Sequence, residues 1–251
     1  MKIEFHYTYL IIALGFILTG YFPNLIIFTS IIIIHELGHY TIAKINKLNV
    51  EKIIIYPYGG LVKMNNPINT SIKKELAVAI SGILFQLIYY LIIIILHKQG
   101  IIRDYIFNLF TMYNTSILTF NILPIHPLDG SKILNLLLST ILPFNLSNKL
   151  NIIISIITLI LLIIINYYQF NYTTILIIGV ILDNLIKYRK QLKYIFNKFL
   201  LERYIYKLTY NKTKKISKIN NMYKEKYHIL KENNTYITEK QALSKKFNRK
   251  I

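Results

Sequence analysis

His35 and His39 stand four residues apart with Glu36 beside the first, in the run His35-Glu36-Leu37-Gly38-His39. On a helix, positions i and i+4 project from one face, so two imidazoles at this spacing can share one metal ion. A carboxylate next to the first imidazole can reach a water at that metal without being a ligand. That is the arrangement of a general base in metal-assisted hydrolysis. Three fixed letters in five recur by chance, but the setting argues against chance. The preceding stretch, Leu25 to Ile34, carries no charge. Ionisable groups within an apolar span are costly and are retained mainly for function.

A hydrolytic zinc takes three protein ligands and keeps one position open. The chain has no cysteine, so the third ligand must be His or carboxylate. Intramembrane candidates are few: His97, His126, Asp129 and Asp183. Asp183 lies four residues before Lys187 and reads as a helix-end ion pair. His97 abuts Lys98 at a span terminus, where it meets water. The remaining two fall in Asn121-Ile122-Leu123-Pro124-Ile125-His126-Pro127-Leu128-Asp129-Gly130. Pro124 and Pro127 cannot both sit inside a regular helix, so the backbone breaks there. Non-helical backbone at membrane depth is tolerated where it lines a cavity or is buried in protein. Asp129 is the favoured third ligand, with His126 as its competitor.

These residues need a scaffold of apolar helices. The chain has 251 residues, 54% hydrophobic, and several runs near the ~20 residues that cross a bilayer. The pattern predicts an all-α polytopic membrane protein with about six spans. These are Tyr7–Thr19, Asn24–Ile45, Glu75–His97, Tyr105–Leu123, Asn151–Asn166 and Thr173–Lys187, plus a short helix over Lys132–Leu142. Met1–His6 reads as a short polar lead without a cleavage site. Val50–Tyr56 and Leu61–Met64, separated by Pro57-Tyr58-Gly59-Gly60, read as a β-hairpin or re-entrant pair beside the metal helix. Ile54 is the position where a proline should break its edge.

The net charge of +19 is concentrated in a tail. From Lys187 onward there are 19 Lys and Arg against four Glu, a net of +15, leaving +4 for residues 1–186. Positive-inside asymmetry explains this without nucleic acid and puts both termini in the cytoplasm. The expected domains are 1–187, membrane-embedded, and 188–251, a basic cytoplasmic tail. In the tail, Leu192–Tyr206 reads as a basic amphipathic helix. Residues 223–247 read equally as a small appended fold or as disorder.

His35-Glu36-Leu37-Gly38-His39 together with Asn121-x-x-Pro124-x-x-Pro127-Leu128-Asp129-Gly130 resembles the site-2 protease family of intramembrane zinc metalloproteases. The resemblance implies zinc ligands His35, His39 and Asp129, Glu36 as the catalytic carboxylate, and Asn121 near the substrate. Tyr56-Pro57-Tyr58-Gly59-Gly60 and Lys198-Phe199-Leu200-Leu201-Glu202-Arg203-Tyr204 look like the branch containing stage IV sporulation protein FB. That branch implies a membrane-associated substrate, a sporulation sigma-factor precursor, cut in a bacterial membrane around the forespore. Inhibitory or regulatory membrane proteins are further implied partners. The sequence departs from the family at Ile83, Gln86 and Ser131. The stretch after Tyr204 is also too short for a full cystathionine-β-synthase domain pair, which leaves nucleotide sensing without support.

A metal-ion transporter would place His and Asp at midplane, but transport has no need of a base such as Glu36. An inactive scaffold would have lost ligands, and none is missing. Asn114, Ser116 and Asn121 on the fourth span suggest either a water path or helix–helix hydrogen bonding.

Overall fold

The computed structural model describes residues 2–56, 59–165, 172–206, 208–210, 212–232 and 235–248. Pro57 and Tyr58 of the expected turn, and Asn166 at the end of the expected fifth span, lie outside the described residues. The chain divides into two compact units. One comprises Met1–Asn66 and Lys74–Leu123, the other Pro67–Lys73 and Pro124–Ile251.

The first unit is built on α2, Phe22–Ile45, started by Pro23 in its first turn. Its buried positions fall on two stripes. Ile27, Ile31, His35, Gly38 and His39 form one; Ile32, Glu36 and Ala43 form the other. On the first, Ile27 and Ile31 cluster with Phe110 of α4, Asp104–Ile122, and pack on Tyr89 and Tyr90 of α3, Ile72–Lys98. On the second, Ile32 packs with Ile53, Ile55 and Val62 of a small sheet and with Tyr9 of α1, Tyr7–Leu18.

That sheet has three strands, β1 (Ile3–Phe5), β2 (Val50–Tyr56) and β3 (Gly59–Met64), in that order. β1 is parallel to β2, and β2 is antiparallel to β3 with Ile54 opposite Leu61. Alternation drives it: Ile53 and Ile55 are buried while Lys52, Ile54 and Tyr56 are less so. Two expectations are corrected here. Residues 3–5 form a strand rather than a polar lead, because they pair with Ile53–Ile55. β2 is then the central strand, so Ile54 lies between two partners and β3 carries the edge.

Among the described residues, three helices are long and apolar enough to cross a membrane: α2, α3, and α6, Phe144–Ile165. α1, at 12 residues, is apolar but short.

In the second unit, α5 (Asp129–Ile141) and α6 are joined by a ladder of small polar side chains. Asn151 bonds Ser131, Asn135 donates to Asn148 at 3.0 Å, and Ser139 and Ser147 meet at 2.8 Å. Hydrogen bonds of this kind glue helices that apolar burial cannot hold together in lipid. α7 runs unbroken from Tyr172 to Ile205, about 51 Å at 1.5 Å per residue. It passes straight through the expected boundary after residue 187.

The end of α7 is the floor of a small α/β module. Here β4 (Thr213–Ile216), β5 (Tyr227–Glu232) and β6 (Thr235–Thr238) form a sheet followed by α8, Glu239–Asn248. Phe196, Phe199, Leu200, Met222, Leu230 and Leu243 form its core. The hub is Arg203, whose buried guanidinium uses all its donors. It donates to Asn69 Oδ1 at 3.0 Å, to Glu239 Oε1 at 2.8 Å, and to the carbonyls of Tyr223, Lys224 and Lys226. Glu202 accepts from the backbone of Ile68 and Asn69, and Glu225 accepts from Ile72 N–H at 2.7 Å. The module thus grips the segment leading into α3.

His228 is held neutral. Its Nδ1–H donates to Glu239 Oε2 at 2.9 Å, while its Nε2 accepts from Tyr223 N–H at 2.9 Å. Burial pushes its pKa below the ordinary 6.5, against the pull of Glu239. Burial alone would raise the Glu239 carboxyl, but the His228 bond and the Arg203 charge hold it below the usual carboxylate value. For His228 the unfolded chain takes up a proton first, so module stability falls as pH drops below about 6.5. Hydrogen–deuterium exchange of peptides from 213–248 against urea should show a lower unfolding midpoint at about pH 5.5 than at pH 7.5. An unchanged midpoint would contradict the assignment of His228 as a neutral, buried acceptor.

Candidate metal centre

The α2 motif brings its three polar groups together. His35, Glu36 and His39 are all buried and present ligand-type atoms within 4.8 Å of one another. The two imidazole Nε2 atoms are 3.1 Å apart. Two nitrogens on one tetrahedral zinc, at ~2.05 Å each, stand about 3.3 Å apart. Two imidazoles with a carboxylate beside them are also a donor set that zinc accepts. The residues fit that ion.

The surroundings hold the imidazoles by their other nitrogens. His39 Nδ1–H donates to the carbonyl of Val78 at 2.7 Å, and His35 Nδ1 meets Gln86 Oε1 at 3.0 Å. Gln86 Nε2 in turn donates to the backbone oxygen and to Oδ1 of Asn114, at 3.0 and 3.1 Å. Outer partners of this kind fix ring orientation around a metal.

Two glycines make the approach possible. A Cβ on Gly82 of α3 would stand 2.5 Å from His39 Nε2 and 2.7 Å from His35 Nε2. A Cβ on Gly38 of α2 would meet the Ser81 carbonyl at 2.5 Å. Only hydrogen at these positions lets α2 and α3 come this close. A third glycine, Gly60 on β3, faces Glu36, and a Cβ there would overlap the Glu36 carboxyl group. The two stripes of α2 therefore separate the groups: the histidines turn to α3 and Glu36 turns to β3.

Asp129 belongs to the second unit. It opens α5 rather than lying within the break, is buried, and accepts from Lys132 Nζ at 2.9 Å. The first turn of a helix favours a carboxylate there. Asn121 lies half-buried in the last turn of α4. In the break, His126 N–H donates to Ser155 Oγ at 3.1 Å, and its ring stacks on Tyr188 at 4.0 Å between centroids. His97 bonds the Ile102 carbonyl at its helix end, and Asp183 accepts from Lys187 at 2.5 Å as the i,i+4 spacing predicts. Asn114, left open between water path and helix–helix bonding, makes the helix–helix bond.

The sequence reading missed Gln86, Gly60, Gly82 and the Val78 carbonyl as parts of the centre. A signal was present. Val78, Gly82 and Gln86 recur every four residues on one face of α3, and Gln86 is a lone amide in an apolar run.

The chain is similar to known metalloproteases. Residues 23–102 match the model of Peptidase family M50. Stage IV sporulation protein FB of Bacillus subtilis is 39% identical over 153 residues, covering 61% of this chain and 53% of that protein. A zinc metalloprotease of Methanocaldococcus jannaschii is 29% identical over 152 residues, covering 55% of this chain and 43% of that protein. The chain thus spans about half the length of these curated relatives. The solved site-2 protease of M. jannaschii superposes with a TM-score of 0.59 at 22% identity, over 74% of this chain and 91% of that one. At that identity the likeness shows the fold.

Gly82→Ala should lower zinc affinity by at least about tenfold, the scale of outer-partner loss at metal sites. Gly15→Ala, where a Cβ meets nothing within 4 Å, should leave it unchanged. Equal zinc affinity in both variants, measured by chelator competition, would contradict the packing of Gly82 against the imidazoles.

Proposed function

Starting from a Peptidase family M50 domain over residues 23–102, we propose that the chain is an intramembrane zinc endopeptidase. In this reading His35, His39 and Asp129 hold the zinc, Glu36 is the general base, and Asn121 contacts substrate. The observation that carries it is the paired Nε2 atoms at 3.1 Å with a buried glutamate between the histidines and the β3 strand.

Bound zinc supplies Lewis-acid polarisation of water and of the scissile carbonyl. Glu36 accepts a proton from the attacking water as its oxygen adds to the carbonyl carbon. It then delivers that proton to the leaving nitrogen as the C–N bond breaks. Gly60 leaves Glu36 the room to change partners. The α3 wall and the apolar stripe of α2 keep bulk water from the reaction.

The substrate must present extended backbone, since a helix shields its own peptide bonds. β3 offers it an edge. Ile53 N–H and Ile55 C=O bond toward β1, so the Ile54–Leu61 pair forms the ladder between β2 and β3. By alternation, Gly60 and Val62 turn their backbone groups away from β2. A substrate strand added there would extend the sheet whose face at Gly60 covers Glu36.

The substrate class is a membrane-associated protein. The identity shared with a sporulation protein supports a sigma-factor precursor, cut in a bacterial membrane around the forespore. α1, α4 and the first part of α7 complete six crossings beside α2, α3 and α6. The basic module then falls on the cytoplasmic side together with the N-terminus. Inhibitory membrane proteins are proposed partners.

Co-expression with a candidate precursor tests the reading. Glu36→Gln should keep zinc and lose cleavage by several orders of magnitude. Cleavage by that variant, or a wild type without zinc, would sink it. Val62→Pro removes an outward N–H while sparing the ladder to β2. It should slow cleavage at least tenfold with zinc content unchanged, and undiminished cleavage would rule out strand addition on β3.

A further inference from the structure

We infer that Gln86 is a positioning residue that sets the tautomer of the His35 ring, and with it the affinity of the zinc site. The inference rests on the proposed zinc site and adds a residue at which the sequence departs from the resembling family.

The backbone oxygen of Asn114 is fixed in α4 and only accepts. Gln86 Nε2 lies 3.0 Å from it and 3.1 Å from Asn114 Oδ1. A flipped Gln86 amide would set its oxygen against two acceptors and leave Oε1 and Asn114 Oδ1 without a donor between them. Each such buried, unmatched group costs about 1–3 kcal/mol. The amide orientation is therefore determined, and Oε1 must face His35.

The consequence passes along the chain of bonds. An amide oxygen accepts and does not donate, so His35 Nδ1 must carry the proton in the 3.0 Å contact. In a neutral imidazole this makes Nε2 the lone-pair nitrogen, and Nε2 is the atom turned toward His39. His39 reaches the same state by a shorter route, since Val78 C=O accepts directly from its Nδ1–H. Both ligands are thus set by backbone carbonyls, one directly and one relayed through Gln86.

Position strengthens the assignment. Gln86 is fully buried, as is Asn114. Asn114 Nδ2 has no hydrogen-bond partner among the described residues, so Asn114 is retained for its oxygens rather than as a satisfied amide. The relay crosses α4, α3 and α2 in two hydrogen-bonded steps. Loss of Gln86 frees His35 to rotate and to place its proton on either nitrogen, which weakens metal binding without removing a ligand.

The test compares zinc affinity, by chelator competition, in full-length wild type, Gln86→Met, Gln86→Asn and Thr111→Val. Met keeps the volume and removes the amide. Asn keeps an amide but is one methylene too short to bridge Asn114 and His35. Thr111→Val removes a different α3–α4 hydrogen bond, from Tyr90, and controls for loosened helix packing. Both Gln86 variants should lose about 10–100-fold in zinc affinity, and Thr111→Val should match wild type. The visible spectrum of cobalt-substituted protein should change in the Gln86 variants alone. Wild-type affinity in either folded Gln86 variant, or an equal loss in Thr111→Val, would overturn the inference. A wild type that binds no zinc would instead overturn the protease reading on which it stands.

Discussion

A neutral imidazole binds a metal through one nitrogen only when the other carries the proton, and that requirement governs the architecture around α2. The two Nδ1 atoms, both on buried rings, need acceptors. α3 provides both, through the Val78 carbonyl and Gln86 Oε1. For those acceptors to reach, α3 must come within a hydrogen atom's width of α2, which Gly38 and Gly82 permit. Two hydrogen bonds thus dictate a helix approach, and the approach dictates glycine at two places.

The second demand is made by Glu36. A carboxylate one residue from the first histidine is turned by about 100° from it on a helix, away from α3. It therefore meets whatever covers the adjacent stripe of α2, which is the small sheet. Ile53, Ile55 and Val62 anchor that sheet on Ile32, and Gly60 keeps β3 clear of the carboxylate. The same helix periodicity that pairs the histidines turns Glu36 away from them. It also brings Glu36 against β3 at Gly60.

Much of this was legible in the residues. The i,i+4 pair, the adjacent glutamate, the hairpin and the Asp183–Lys187 pair follow from local spacing, and the structure carries each of them. What was not legible depends on partners distant in sequence. Gln86 lies 51 positions from His35 and shows its role only when α3 packs on α2. β1 forms because Ile53–Ile55 offer it a ladder, which short-range pattern in Ile3–Phe5 cannot reveal. The tail divided evenly between fold and disorder because its apolar residues are sparse. Its organisation rests on Arg203, Glu239 and His228, a buried polar network whose partners come from four separate segments. α7 hides its length for a related reason: apolar sequence gives way to basic sequence near Lys187 while the helix continues to Ile205.

The central claim is that the two α2 imidazoles bind one zinc through Nε2, with carboxylate oxygen completing the protein ligands. X-ray absorption at the zinc edge of the purified, zinc-loaded protein addresses it most directly. The account predicts two imidazole scatterers at about 2.0–2.1 Å together with oxygen, falling to one imidazole in His35→Ala. A wild-type spectrum with one imidazole or none, or one unchanged by His35→Ala, would contradict it.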